Sequence, residues 1–222
     1  MSSRSVCLAL AVCAFACISS PAWAGRNKAL GSVAQTNNAL IDNDTAMAGA
    51  NVYACDVLDT DNYGDLRVQF HGSQIALGTT SEVVLDGSPD AVRVIAVSGS
   101  VSFSAPSSAE LIIDTPAGTL REASGQAYTG TVTITGPKEL VVSAVRGNIA
   151  LNNGGALHTI PAGKTARVTF DQAADASCHS PGYVHSTTSS RKIGFYIIGA
   201  AVAGGAGYAI WHDLQESPTR TE

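Results

Sequence analysis

The chain between residues 51 and 172 is written in short apolar runs broken by turn formers. "DLRVQF" (65–70), "SEVVL" (81–85), "AVRVIAV" (91–97), "SVSF" (100–103) and "ELIID" (110–114) come first. "TVTIT" (131–135), "ELVVSAV" (139–145), "NIAL" (148–151) and "TARVTF" (165–170) follow. Each is rich in Val, Ile, Thr or Phe and is bounded by Gly, Pro, Asn, Asp or Ser, which is how strands separated by tight turns read. Apolar residues at helical spacing are missing throughout this region. The pattern predicts an all-β fold of repeated strand units, either a β-sandwich or barrel or a short β-solenoid.

Part of that pattern is written twice. "AVRVIAVSGSVSF" (91–103) aligns with "ELVVSAVRGNIAL" (139–151), strand on strand and Gly99 on Gly147. Each copy leads to a "PAG", first in "TPAGTL" (115–120) and then in "IPAGKT" (160–165). Proline presets φ and the glycine two positions on permits φ > 0, so both mark tight turns. A glycine inside an apolar run predicts a bend or bulge at positions 99 and 147. The expectation is a β-unit stacked on its copy, each covering the other's apolar face.

The two ends read differently. Arg4, the apolar "VCLALAVCAFACI" (6–18) and Ala22 and Ala24 before Gly25 form a secretory signal peptide with an Ala-x-Ala cleavage site. Lipidation at Cys17 is the weaker reading, because Phe15 and the lack of Leu at −3 fit it poorly. Near the other end, "IGFYIIGAAVAGGAGYAIW" (193–211) holds 19 residues without a charge. As a helix it would cover about 28 Å, close to a bilayer's hydrocarbon thickness. Phe195 and Tyr196 lie at one end and Tyr208 and Trp211 at the other, where interfacial aromatics belong. Gly199, Ala203 and Gly207 would form a smooth stripe suited to close packing of two helices, and hence to a homodimer. Arg191 and Lys192 oppose the positive-inside tendency, and a core helix or buried strand is the alternative. The expected layout is a signal peptide (1–24), a β domain (25–172), a polar linker (173–192), a membrane helix (193–211) and a short tail (212–222).

Charge and cysteine usage narrow the function. Charged residues are 14% of the chain and the formal net charge is −5, with no run of more than two Lys or Arg. That excludes an electrostatic grip on nucleic acid or on an anionic bilayer. Cleavage before Gly25 would leave Cys55 and Cys178 as the only thiols of the mature chain. Two cysteines in an exported protein point to a disulfide, with two separate buried thiols as the alternative.

The motifs in order carry a resemblance. Gly31 and Val33, then Asp56, Leu58 and Thr60, then Gly72, Ser73, Ile75 and Leu77, then Ser81, Val83 and Leu85 resemble the opening of a FecR-type domain. "VSGSVSF", "DTPAGTLR" and "VRGNIAL…IPAGKTARV" resemble its later segments, so the likeness covers residues 30–170. The family writes a glycine where this chain has Cys55. FecR-type regulators carry a cytoplasmic sigma-factor-binding domain ahead of one membrane helix; here a signal peptide stands in its place and the apolar run is at the opposite end. The resemblance therefore implies the fold and the periplasmic side, not sigma-factor regulation, and it brings no catalytic residues.

No motif for chemistry competes with this. Asp59, Asp61 and Gly64 echo a calcium loop, but Phe70 stands where the bidentate Glu belongs. Cys178, His179 and His185 are too few and too widely spaced for zinc. His71 and His158 are isolated, and Glu82, Glu110, Glu122 and Glu139 flank strands, where they would face water. No nucleophile elbow, P-loop or His-Glu-x-x-His occurs. The expectation is a non-enzymatic FecR-like protein without cofactor or metal, on the periplasmic side of a bacterial cell membrane. It would bind a protein or an envelope polymer through exposed strand edges and take part in signalling. The alternative is a structural cell-surface component without a signalling role.

Overall fold

The computed structural model describes residues 28–153, 155–170 and the backbone of 194–200. The expected signal peptide, linker and tail lie outside these residues. Sixteen strands make up the described chain. They are β1 (Gly31–Ile41), β2 (Asp44–Thr45), β3 (Asn51–Val52), β4 (Val57–Phe70), β5 (Gln74–Leu77), β6 (Glu82–Ser88), β7 (Ala91–Ser98) and β8 (Ser100–Ala105). Then come β9 (Glu110–Thr115), β10 (Gly118–Glu122), β11 (Tyr128–Gly136), β12 (Glu139–Arg146), β13 (Ile149–Asn152), β14 (Leu157–Ile160), β15 (Lys164–Thr169) and β16 (Gly194–Ala200). All-β is the architecture, and among the described residues no helix is long and apolar enough to cross a membrane.

One continuous sheet divides at β4. Its first residues pair with β6 (Val57↔Val84, Leu58↔Val83), and its last pair with β5 (Leu66↔Leu77, Val68↔Ile75). From there one arm runs β6-β7-β9-β10-β13-β14 and the other β5-β8-β11-β12-β15-β16. Because the side chains of each strand alternate between faces, each arm presents one apolar side. These close on a common core that includes Leu58, Leu85, Val94, Phe103, Leu140 and Ile149, all fully buried. The result is a barrel-like sheet.

The twice-written glycines sit where the chain passes between arms. Gly99 joins β7 in the first arm to β8 in the second, and Gly147 lies between β12 in the second and β13 in the first. Both are left-handed, with φ of 77° and 68°. A Cβ at Gly99 would strike Ser81 and the Thr80 carbonyl; one at Gly147 would lie 2.5 Å from the Ala127 carbonyl. The predicted bends are therefore real, and each is a corner. The two units are not joined edge to edge: β7 pairs with β6 and β9, and β12 with β11 and β15. A solenoid would need successive parallel pairings, and only β7 with β9 is parallel among the described strands. The two units pass between the arms at Gly99 and Gly147 and fill one core, so each covers apolar residues of the other.

The seam at Gly99 shows what bending a sheet requires. Strands that turn a corner leave backbone groups out of ladder register, and buried backbone groups must find other partners. Here Thr60 Oγ1 donates to the Gly78 carbonyl at 2.5 Å and accepts the Ser81 N–H at 2.9 Å. Ser81 Oγ in turn accepts the Ser100 N–H at 2.9 Å. Thr60 and Ser81 are both buried. Two hydroxyls thus stand in for missing ladder bonds across three bent strands.

The "PAG" turns do different work. Pro116 and Ala117 form a two-residue hairpin loop between β9 and β10, closed by Thr115↔Gly118. Pro161 to Gly163 instead carry the chain from β14 in one arm to β15 in the other.

The start of the apolar run near the C-terminus differs from expectation. Residues 194–200 form strand β16, antiparallel to β15, with Ala166↔Ile197 and Thr169↔Gly194 in register. The edge of β15 offers open backbone groups, and "GFYIIGA" carries the aromatic and β-branched residues that strands favour. The remainder of the run, including Ala203 and Gly207, lies outside the described residues.

Candidate functional site

The sheet of the first arm opens between β9 and β10. Their pairing runs Thr115↔Gly118, Asp114↔Thr119, Ile113↔Leu120 and then stops. Beyond that point β9 follows β7 (Arg93↔Ile112, Val92↔Leu111, Ala91↔Glu110) and β10 follows β13 (Arg121↔Ala150, Glu122↔Ile149). Two strands that keep their outer partners while losing each other splay into a wedge. A cavity of about 300 Å³ occupies it, with Ser107 and Ser108 of the β8–β9 turn and Glu110 on one side. Leu111 and Ile112 of β9 and Arg121 and Glu122 of β10 complete the lips, and Tyr128 of β11 closes the base.

Tyr128 reaches the base from the opposite arm. Its hydroxyl donates to the Leu111 carbonyl at 2.5 Å, and its ring tilts against Phe103 with centroids 5.9 Å apart. Burial, and then the Glu122 charge, push the phenol far above its ordinary value, so it stays a donor. Burial also pushes the Glu122 carboxyl up, but backbone N–H groups of Ser124, Gln126 and Gly125 outweigh this and hold it below its usual range. Glu122 is therefore a fixed anion beside Arg121, with Glu110 on the facing lip. Sequence reading placed Glu110 and Glu122 in water as unrelated residues. Only the loss of pairing after Ile113↔Leu120 brings them together, and no spacing in the sequence signals it.

The other outward face is already occupied by itself. Ser100 and Thr133, Ser102 and Thr131, and Ser104 and Thr129 pair hydroxyl to hydroxyl at 3.0, 3.0 and 3.1 Å between β8 and β11. Ser143 and Thr165 do the same at 2.9 Å between β12 and β15.

The remaining sequence candidates lie apart. Cys55 is disulfide-bonded. Cys178, His179 and His185 fall outside the described residues. Cys55 is also left-handed, with φ of 77°, at the position where FecR-type sequences write glycine. Among the described residues no three His, Cys, Asp or Glu side chains gather as a metal site. The Asp61 carboxylate takes the Asn62 N–H at 3.0 Å, and its carbonyl takes the Thr80 N–H at 3.1 Å, so this loop is tied by its own backbone. His71 lies in the β4–β5 turn and His158 on β14. Glu139 pairs with Arg167 at 2.8 Å on the second arm.

No protein-family model matches the chain, and no curated protein matches it either. Solved structures that resemble it include two crystal structures of a candidate anti-sigma factor from Parabacteroides distasonis ATCC 8503, at 1.65 and 2.50 Å. Each superposes with a TM-score of 0.46 and 10% sequence identity over 65% of this chain. The match spans 60% of that protein's length.

Proposed function

We propose that this chain is an exported, non-enzymatic binding domain of FecR type, held at a bacterial membrane with its β domain on the periplasmic side and serving in signalling. The observation that carries the reading is the use to which the motif residues are put. Thr60, Ser81, Gly99 and Gly147 build the two seams, and Leu58, Ile75, Val83 and Leu85 fill the core. The resemblance is thereby spent on architecture. What remains for the surroundings is the open wedge of the first arm and the edge strand β14, which is recognition geometry.

The apolar run supplies the hold on the membrane. As a spanning helix it must use residues 194–200, because the 11 residues from 201 to 211 cover only about 16 Å against a core of about 30 Å. Anchoring therefore requires this segment to leave β15. Fractionating cells and probing a tagged tail and a tagged domain with protease tests address and anchoring together. The proposal expects the chain in the membrane pellet with its β domain open to protease from the periplasm. Recovery in the soluble periplasm would overturn the anchor and leave β16 as the closing strand of a free domain.

A further inference from the structure

We propose that the wedge between β9 and β10 binds a short extended peptide segment carrying one cationic group. This rests on the reading of the domain as a binding module and adds the class of ligand. β9 and β10 stop pairing at Ile113↔Leu120 while each keeps its outer neighbour, so their lips face a gap rather than each other. Extended peptide is the ligand that meets strand lips along their length, because its own backbone repeats at the same spacing. A cavity of about 300 Å³ accepts a few residues and not a folded partner.

Glu110 and Glu122 line the gap against the single guanidinium of Arg121, which leaves one unmatched negative charge. A lysine or arginine side chain, or a free amino group, would complete it. Ile112 beside these charges gives the aliphatic part of such a side chain an apolar wall.

The lining of the wedge presents no exposed aromatic face. Sugar polymers are held chiefly by stacking on exposed aromatic faces. The one aromatic residue lining this cavity, Tyr128, is only 2% exposed and packs against Phe103. Peptide fits; glycan does not.

The test is titration calorimetry of the full chain in detergent with three probes: acetyl-Ala-Lys-Ala-amide, acetyl-Ala-Glu-Ala-amide and chitotriose. The lysine peptide is expected to bind at least tenfold tighter than the glutamate peptide, with no saturable heat from chitotriose. Glu110→Lys, at an exposed position, should reverse the preference. Ser108→Trp, in the exposed turn, should block both peptides, and Glu139→Lys on the other arm should change nothing. Equal affinity for both peptides, preferred binding of the glycan, no binding of any probe, or a preference unmoved by Glu110→Lys would each overturn the inference. A chain that binds none of the probes but still pellets with membranes loses this inference alone.

Discussion

The Tyr128 hydroxyl donates to the Leu111 carbonyl at 2.5 Å, and this bond joins the two arms of the sheet at the point where β9 and β10 part. The carbonyl it satisfies is one that the splay removes from β10. Tyr128→Phe keeps the ring and its contact with Phe103 but leaves a buried acceptor unpaired, at a cost of about 1–3 kcal/mol. Chemical denaturation should show the loss as a lower midpoint with an unchanged slope. A variant as stable as wild type would mean that water or another donor serves Leu111 equally well.

The corner glycines predict a graded series. Gly99→Ala and Gly147→Ala each combine a left-handed φ with a collision against neighbouring backbone, and each should cost more than about 2 kcal/mol. Gly125 has a φ of 69° and open space around it, so Gly125→Ala isolates the conformational part and should cost about 1 kcal/mol. Thermal unfolding of the three variants reads the order directly. Equal losses at all three would show that the close approach at the seams carries no energy.

Cys55 combines two opposing effects. Its disulfide stabilises the chain, and if the partner is Cys178 the closed loop of about 120 residues contributes about 4–5 kcal/mol on the loop-entropy account. Its φ of 77° costs backbone strain that glycine would not feel. Cys55→Ser loses the bond and keeps the strain, whereas Cys55→Gly loses both. Denaturation under oxidising conditions should therefore rank wild type above Cys55→Gly, and Cys55→Gly above Cys55→Ser. The reverse order of the two variants would show that the position is not strained.

Asp56 gives a pH signature. Burial pushes its carboxyl above the ordinary value of 3.8, the Tyr53 N–H bond at 2.8 Å pulls it back, and the nearby Asp42 pushes it up again. A carboxyl raised in the fold favours the folded state while protonated. That contribution is present below the unfolded value and is lost as pH rises through the folded one. Asp56→Asn keeps an acceptor for Tyr53 and removes the titration. The melting temperature of the variant minus that of wild type should grow more positive from pH 3 to pH 7. A difference constant across that range would assign the titration to other carboxylates.

Every strand announced by a β-branched run is present, from "DLRVQF" in β4 to "TARVTF" in β15. The strands that no apolar run announces are hidden for two physical reasons. β10 buries only Leu120 and β14 only Ile160, so neither has an alternation to read. β1 carries register shifts between Val33 and Gln35 and between Asn37 and Ala39, which break its period of two. The seam glycines were legible because a glycine within an apolar run has few other uses. Which seam each one turns was not, since that depends on strand pairing far along the chain. The wedge was illegible for the same reason, as Glu110 and Glu122 meet only through the divergence of their strands. The apolar run near the C-terminus satisfied two patterns at once, and an open edge on β15 draws its first residues into the sheet.

Export is the claim on which the functional account depends, because it sets the compartment, the state of the thiols and the partners within reach. Peptide mass mapping of the mature protein, isolated from envelopes without reductant, tests it in one measurement. The account predicts a chain beginning at Gly25 with the Cys55 and Cys178 peptides joined through their sulfurs. A chain that keeps its first 24 residues, with both thiols free, would contradict it.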